Sequence, residues 1–358
     1  MAAVQTRQAL TSTSVGNLEL NIQSRIPNLR PGTLLCRVEA VGLNPADFKS
    51  SDHATSPGSV GGFDFAGVVL EVGTGVTRFS VGDRVAGAAY GYNPDDKELG
   101  AFTNVVLAAE ELTLKLPPSW TFEQGATLGV VVTTAGFGLN HYLQVPIPGE
   151  EATQTGGRDQ FVLVSGGGTA SGMVAIQWLH LAGFKPLASC SPSSMDLVRS
   201  LGAVATFDYR APTCGADIRR FTEGRLAHVL DCAPSVEGTE SMRMCYAAIG
   251  PKGGRYVALN PISTLVKYTR RDVSADWLMA VAMFGETVSL PGVYGRPARP
   301  ELRTLAARIF RTAEMLISQG LLTEPRFQIR AGGLGAVGQG VEELRRGLTG
   351  GKLVFPLT

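Results

Sequence analysis

A chain of 358 residues with 44% apolar and 18% charged side chains has material for two domains with ordinary cores, which excludes a disordered or fibrous protein. Its 32 Lys and Arg against 31 Asp and Glu leave a formal charge of +1, with no basic run or aromatic-basic interleaving, so neither nucleic acid nor an anionic membrane surface is an expected partner. No stretch approaches the ~20 uninterrupted apolar residues of a membrane span, and residues 1–10 lack a signal-peptide core, so a soluble, cytoplasmic protein is expected.

The N-terminal part reads as strand-rich. Residues 34–41 partly alternate between apolar and polar, 66–73 are strand-like, and 81–87 read as a turn entering a strand. Frequent Gly and Pro punctuate these runs, as the tight corners of a small barrel require. The period changes at Thr121, an N-cap with Gln124 in capping-box position, and a helix through about 133–143 closes the region. Residues 146–160 are polar and rich in turn formers, and read as an exposed connection.

From Phe161 onward strands and helices alternate. Phe161-Val162-Leu163-Val164-Ser165 is a short apolar run ending in Gly166-Gly167-Gly168-Thr169-Ala170-Ser171-Gly172, after which 174–179 has helical spacing. Strands over 184–190, 226–231 and 254–259, with helices over 195–202 and 236–249, continue the βαβ pattern of a parallel doubly wound sheet. A long helix over 302–320, then 326–330, a helical 334–347 and a last strand 352–355 form a tail expected to pack on the N-terminal barrel.

The glycine-rich turn carries the first chemical signal. Glycines let backbone turn tightly and approach phosphates, while the amides and dipole of the following helix favour negative charge, as a dinucleotide pyrophosphate needs. The spacing of Gly166, Gly168 and Gly172 departs from G-x-G-x-x-G, and a ligand-free turn can have the same spelling. At the end of the next strand an NAD-preferring site would place Asp or Glu, whereas Ser191-Pro192-Ser193-Ser194 stands here. Hydroxyls, amides and a cation from Lys185, Arg199, Tyr209 and Arg210 as neighbours suit a 2′-phosphate, hence NADPH. The same serines also serve as turn and N-cap before the helix.

Other catalytic constellations are missing. Cys36, Cys190, Cys214, Cys232 and Cys245 are scattered, without a C-x-x-C pair, so reduced thiols acting as small hydrophobes are expected rather than structural zinc or disulfides. His53, His141, His180 and His228 are isolated, and no Ser/His/Asp or H-E-x-x-H spacing can be built around them.

The order of these pieces carries a resemblance. Gly42-Leu43-Asn44-Pro45-Ala46-Asp47-Phe48-Lys49, Gly62-Phe63-Asp64-Phe65-Ala66-Gly67, Val81-Gly82-Asp83-Arg84-Val85, the glycine turn and Gly351-Lys352-Leu353-Val354 resemble the zinc-independent branch of the medium-chain dehydrogenase/reductase superfamily. Zinc-dependent relatives carry a Cys near 44–49 and a His-Glu pair where Phe63-Asp64 stands, so the resemblance implies no metal. Cys190-Ser191-Pro192, Phe207-Asp208-Tyr209-Arg210, Tyr256-Val257-Ala258-Leu259-Asn260-Pro261, Asp276-Trp277, Phe284-Gly285-Glu286 and Tyr294-Gly295-Arg296-Pro297 further resemble the trans-acting enoyl reductases that serve fungal iterative polyketide synthases.

That resemblance implies an α/β architecture: a GroES-like β-barrel catalytic domain over 1–145 and 310–358, and a Rossmann-type doubly wound parallel-sheet NADPH domain over 146–309. It implies reduction of α,β-unsaturated polyketide thioesters held on the acyl carrier domain of a partner polyketide synthase. Cofactor contacts are then expected from Ala46, Asp47, Phe48 and Lys49, from Gly168, Thr169, Ala170 and Ser171, from Ser191, Pro192, Ser193, Ser194 and Tyr209, and from Leu259, Asn260, Leu353 and Val354.

Lys49 is expected to hold the nicotinamide ribose or stabilise enolate charge, and Thr134 to hydrogen-bond the thioester oxygen or the carboxamide. Leu128, Gly129, Val130, Val131, Val132, Thr133, Thr134 and Ala135 are expected along one wall of an acyl groove, with Ala280, Val281, Ala282, Met283 and Phe284 opposite, although such apolar runs also make ordinary core. The Pro and Gly of 290–300 interrupt a region where dimeric relatives pair sheet edges, so a monomer is expected. A quinone reductase, a free enoyl-CoA reductase or a non-catalytic cofactor-binding scaffold would share the fold.

Overall fold

Alternating and continuously apolar runs dictate the first strands. The structure, a computed structural model, describes residues 6–53, 56–150, 159–235, 239–347 and 350–357. Its opening elements are β1 (Thr6–Ser14), β2 (Asn17–Arg25), β3 (Thr33–Gly42), α1 (Pro45–His53), β4 (Asp64–Val72), β5 (Arg84–Ala88), β6 (Val105–Ala109), β7 (Thr113–Lys115), α2 (Phe122–Gly125) and α3 (Gly129–Gly136). β1 and β2 form a separate antiparallel hairpin that turns at Gly16, whose φ of +76° is left-handed and suits glycine. β3, β4, β5 and β7 are antiparallel neighbours, and β6 also pairs with β3. β3 is buried along nearly its whole length because this sheet wraps a core containing Leu34, Val38, Phe65, Val69 and Phe102.

Before α2 the capping box forms as its spelling requires: Thr121 Oγ1 accepts the Gln124 amide at 3.2 Å and Gln124 Oε1 accepts the Thr121 amide at 2.8 Å. α3 begins at Gly129, earlier than the expected 133, and widens into a π-helical turn over Phe137–Tyr142. Its run of Val, Thr and Ala is buried all round, so no apolar stripe marks where it starts.

The second set of elements is β8 (Phe161–Ser165), α4 (Ala170–Leu181), β9 (Lys185–Cys190), α5 (Met195–Ser200), β10 (Ala205–Asp208), α6 (Cys214–Phe221), β11 (His228–Asp231), α7 (Glu240–Ala248), β12 (Gly254–Ala258), α8 (Thr264–Lys267) and β13 (Val273–Trp277). Part of the expected connection, 151–158, and the expected start of the helix at 236–238 lie outside the described residues. The six strands are all parallel in the order β10-β9-β8-β11-β12-β13, which is a doubly wound sheet. Sheet faces covered by helices explain why β8 reads as a nearly continuous apolar run. Trp178 of α4 is fully buried. Trp178→Ala is expected to destabilise the protein by about 3–5 kcal/mol, read by urea unfolding with far-ultraviolet circular dichroism. An unchanged midpoint would contradict this packing.

The tail consists of α9 (Pro300–Ser318), β14 (Phe327–Ile329), α10 (Gly333–Arg345) and β15 (Lys352–Pro356). It does return to the barrel: β15 pairs antiparallel with β3 and parallel with β14. Glu314 of α9 accepts the Lys115 amide at 2.7 Å and pairs with Arg78 at 2.7 Å. By their internal contacts, residues 1–130 with 281–358 form one compact unit and residues 131–280 a second. All five cysteines are buried free thiols, and burial pushes Cys36 up to about 12 and Cys214 up to about 11. No helix of the described residues is long and apolar enough to cross a membrane.

Candidate active site

In the parallel-sheet unit the chain runs from β8 outward to β9 and β10, then returns to β11 on the other side of β8. Such a reversal of strand order is where doubly wound sheets bind ligands. The glycine turn lies there, between β8 and α4. Gly166, at φ +75°, accepts hydrogen bonds from the Thr169 amide at 2.9 Å and the Thr169 hydroxyl at 2.8 Å. Thr169 Oγ1 in turn accepts the Gly172 amide at 3.1 Å and caps α4. The amides of Ala170 and Ser171 therefore stand at a helix start, where no intrahelical acceptor exists.

The turn leaves no room for side chains of its own. A Cβ on Gly172 would lie 2.9 Å from Gly167 Cα and against the Gly166 carbonyl, and one on Gly168 would lie 2.8 Å from Ser194 Oγ. Bare backbone, two helix-start amides without an intrahelical acceptor and the α4 dipole together fit a pyrophosphate. Below the turn, buried Asp231 accepts from Tyr256 Oη at 2.8 Å and from the Ala233 amide at 3.2 Å, and burial pushes its carboxyl above the ordinary range.

The serines gather beside this turn. Ser191 Oγ lies 3.0 Å from Ser193 Oγ and 3.2 Å from Ser194 Oγ, with Pro192 opening the short helical turn between them. Tyr209 is half exposed and follows Asp208, whose register partner is Cys190, so Tyr209 and Ser191 leave the sheet at adjacent strand ends. Asp208 accepts the Arg210 amide at 3.0 Å, and the Arg210 guanidinium sits 5.5 Å from the Tyr209 ring. Lys185 opens the six-residue β9 and pairs with Asp159 at 2.8 Å, which puts it roughly 20 Å of strand from Ser191. Arg199 pairs with Asp196 at 3.0 Å. Of the cations considered from sequence, Arg210 follows the end of β10 and Arg199 lies near enough to act on Cys190 at the end of β9, whereas Lys185 is at the opposite end of that strand. Leu259 and Asn260 follow β12, with the Leu259 amide donating to the Asp231 carbonyl at 3.2 Å.

In the barrel unit Pro45 occupies the first position of α1 and Asn44 its N-cap. Asp47, three residues on, accepts the Asn44 amide at 2.7 Å and is fully buried, so its side chain is engaged in capping; burial pushes its carboxyl well above the ordinary range. Ala46, Phe48 and Lys49 are half-buried. The Lys49 ammonium lies 6.0 Å from the Phe48 ring, and burial lowers its pKa from the ordinary 10.5. The β3 to β15 pairing brings the approach to α1 beside the last strand: the Leu43 amide donates to the Leu353 carbonyl at 2.9 Å, and Val354 is the register partner of Gly42. The Leu353 and Val354 side chains are themselves fully buried.

Residues from Leu128 to Ala135, Thr133 and Thr134 included, are all buried. Ala280, Val281 and Ala282 are half-buried, while Met283 and Phe284 are buried, with Phe284 stacked on Tyr90 at 4.9 Å between ring centroids. Sequence reasoning missed Tyr90, since nothing local pairs it with Phe284. It also missed that Asp64 is ion-paired to Lys352, although a charge inside each of two apolar strands was a visible signal. Among the described residues no three His, Cys, Asp or Glu side chains gather as a metal-ligand set.

A GroES-like barrel unit and a doubly wound parallel-sheet unit with a phosphate-suited turn define a medium-chain dehydrogenase/reductase. Residues 30–118 match the alcohol dehydrogenase GroES-like domain family. An alcohol dehydrogenase superfamily protein from Novosphingobium aromaticivorans superposes with a TM-score of 0.76 at 23% identity, covering 99% of this chain and 100% of that one. The CurK enoyl reductase does so with a TM-score of 0.75 at 20% identity, covering 98% and 99%. A trans-enoyl reductase of Gibberella fujikuroi is 45% identical over 98% of this chain and 99% of its own length. One from a Penicillium species is 44% identical over 98% of both chains. The chain belongs to the trans-enoyl reductase family, and it is an oxidoreductase acting on carbon–carbon double bonds.

Proposed function

We propose that this enzyme is an NADPH-dependent, zinc-independent reductase of α,β-unsaturated polyketide thioesters presented on the acyl carrier domain of a partner polyketide synthase. The observation that carries this reading is near full-length identity of 45% to a trans-enoyl reductase. NADPH, when bound, supplies a hydride for the β-carbon. Gly168, Thr169, Ala170 and Ser171 hold its pyrophosphate by backbone and helix dipole. Ser191, Ser193, Ser194 and Tyr209, with Arg210, hold the 2′-phosphate, and the serine turn has no carboxylate to repel it.

Leu259 and Asn260 are assigned to the nicotinamide side, with Ala46, Phe48, Lys49, Leu353 and Val354 as cofactor neighbours from the barrel unit. Lys49 stabilises negative charge on the enolate oxygen, and Thr134 orients the thioester carbonyl. The small and adaptable side chains of 128–135 and 280–284 take the acyl chain. The enzyme acts as a monomer in the cytoplasm.

The test is NADPH oxidation by the purified protein with an enoyl thioester on a carrier domain, beside crotonyl-CoA and a quinone. Turnover of the carrier-bound thioester well above the other two is expected; equal or better turnover of either diffusible substrate would overturn the carrier reading. Ser191→Asp sets a carboxylate beside the 2′-phosphate and is expected to weaken NADPH binding about 10–100-fold while NADH binding changes little. Calorimetric titration with both cofactors checks it, and equal losses for the two would remove the serines from that role.

A further inference from the structure

Two charges lie in the barrel where an ordinary core carries none. Asp64 opens β4 and is fully buried, and Lys352 opens β15 with its side chain 2% exposed. The Lys352 ammonium is ion-paired to Asp64 Oδ2 and donates to Asn44 Oδ1 at 2.7 Å, while Asn44 Nδ2 donates to the same Asp64 Oδ2 at 2.9 Å. The remaining oxygen, Asp64 Oδ1, accepts the Val130 amide at 2.6 Å in the first turn of α3.

Backbone and side chains pack closely around this arrangement. Gly42 of β3 stands in register with Asp64 on one side and with Val354 on the other, so Lys352 reaches across Gly42 to its partner. A Cβ on Gly42 would lie 2.0 Å from the Ala126 carbonyl oxygen and 2.9 Å from Lys352 Cε, and one on Gly129 would lie 2.5 Å from the Gly87 carbonyl oxygen and 2.6 Å from Asp64 Oδ1. Neither glycine has a positive φ, so room rather than backbone freedom demands glycine at both. Asn44 is released for the network because Asp47 accepts its amide, the half of a capping box that leaves the N-cap side chain unused.

A buried ion pair is weak evidence of stability, since its desolvation can exceed its attraction and apolar residues of like volume often serve as well. What apolar residues cannot do is make directional bonds to three segments at once. Here those segments are the N-cap of α1, which carries Lys49; the start of α3, which carries Thr134; and the last strand, which carries Leu353 and Val354. We propose that Asp64, Lys352 and Asn44 are positioning residues for the reduction, fixing the starts of α1 and α3 to the last strand without touching substrate or cofactor. The proposal rests on the roles given above to Lys49 and Thr134.

The test separates stability from turnover. Lys352→Met alone leaves a buried unpaired carboxylate and is expected to lower Tm by about 5–10 °C. The double variant Asp64→Leu/Lys352→Met removes both charges and is expected to regain most of that Tm, yet to keep kcat about 10–100-fold below the parent. Asn44→Ala, which cuts the link to α1 but keeps the ion pair, is expected to lower kcat about tenfold with a smaller Tm loss than Lys352→Met. Native-state hydrogen exchange of the Val130 amide, expected to quicken in the double variant and not in Asn44→Ala, follows the network without any turnover.

An active parent whose double variant regains kcat together with Tm overturns the positioning role and leaves the enoyl reductase reading intact. A parent inactive on every enoyl thioester overturns the reading and the proposal with it. Should the double variant not fold, Asn44→Ala decides: unchanged kcat overturns the proposal.

Discussion

Replacing Lys49 by Ala is expected to lower kcat/KM on a carrier-bound enoyl thioester by about 10²–10³-fold while the protein remains folded. Lys49 sits half-buried on α1, and Pro45, the Asp47 cap and the Asn44 network seat its helix. Removing the side chain therefore takes away a cation without opening the core. The pH dependence gives the same claim a second edge. Burial lowers the Lys49 pKa from 10.5, so the charged form is lost at lower pH than for a solvated lysine.

Activity that needs the ammonium then falls as pH rises through the lowered pKa. Stability moves the other way, because the unfolded chain binds the extra proton between the lowered pKa and 10.5, so the cost of burying the charge is relieved as pH rises through that window. The alkaline fall in kcat/KM is expected in the parent and absent in Lys49→Ala. Unchanged turnover in the variant would exclude Lys49 from the chemistry.

The second large effect is expected in the nucleotide turn. Gly172→Ala is expected to weaken NADPH binding by about 5–150-fold, the equivalent of the 1–3 kcal/mol that overpacking costs. The added methyl meets Gly167 Cα at 2.9 Å and the Gly166 carbonyl, and both are backbone atoms that cannot rotate aside. Relief requires the turn to open, which would also stretch the 3.1 Å bond from the Gly172 amide to Thr169 Oγ1 and tilt the start of α4. Fluorescence titration with NADPH reads the loss. Parent-like affinity in Gly172→Ala would separate this turn from the pyrophosphate.

Much of this molecule follows from contacts within a few residues of chain. Thr121 and Gln124 cap one another because they are three residues apart, and Thr169 caps α4 for the same reason. The glycine turn and the carboxylate-free serines that follow β9 are legible because each is a local spelling with a local steric or electrostatic meaning. The apolar run of β8 likewise declares a sheet covered on both faces. The resemblance, carried by short motifs from Gly42 to Val354, supplied the order in which these pieces assemble and the family to which they belong.

What local spelling could not decide is which distant groups meet. Lys185 looked as useful as Arg210 until strand direction put it at the far end of β9. The start of α3 was hidden because burial on every side erases the period that betrays a helix. Asp64 and Lys352 stand 288 residues apart, and each alone reads as a misplaced charge in an apolar strand. Only the antiparallel register of β3 with both β4 and β15 brings the two charges face to face across Gly42. The physical reason is that backbone sterics and capping act over one helical turn, whereas desolvated charges are tolerated only where the whole chain has delivered their partners.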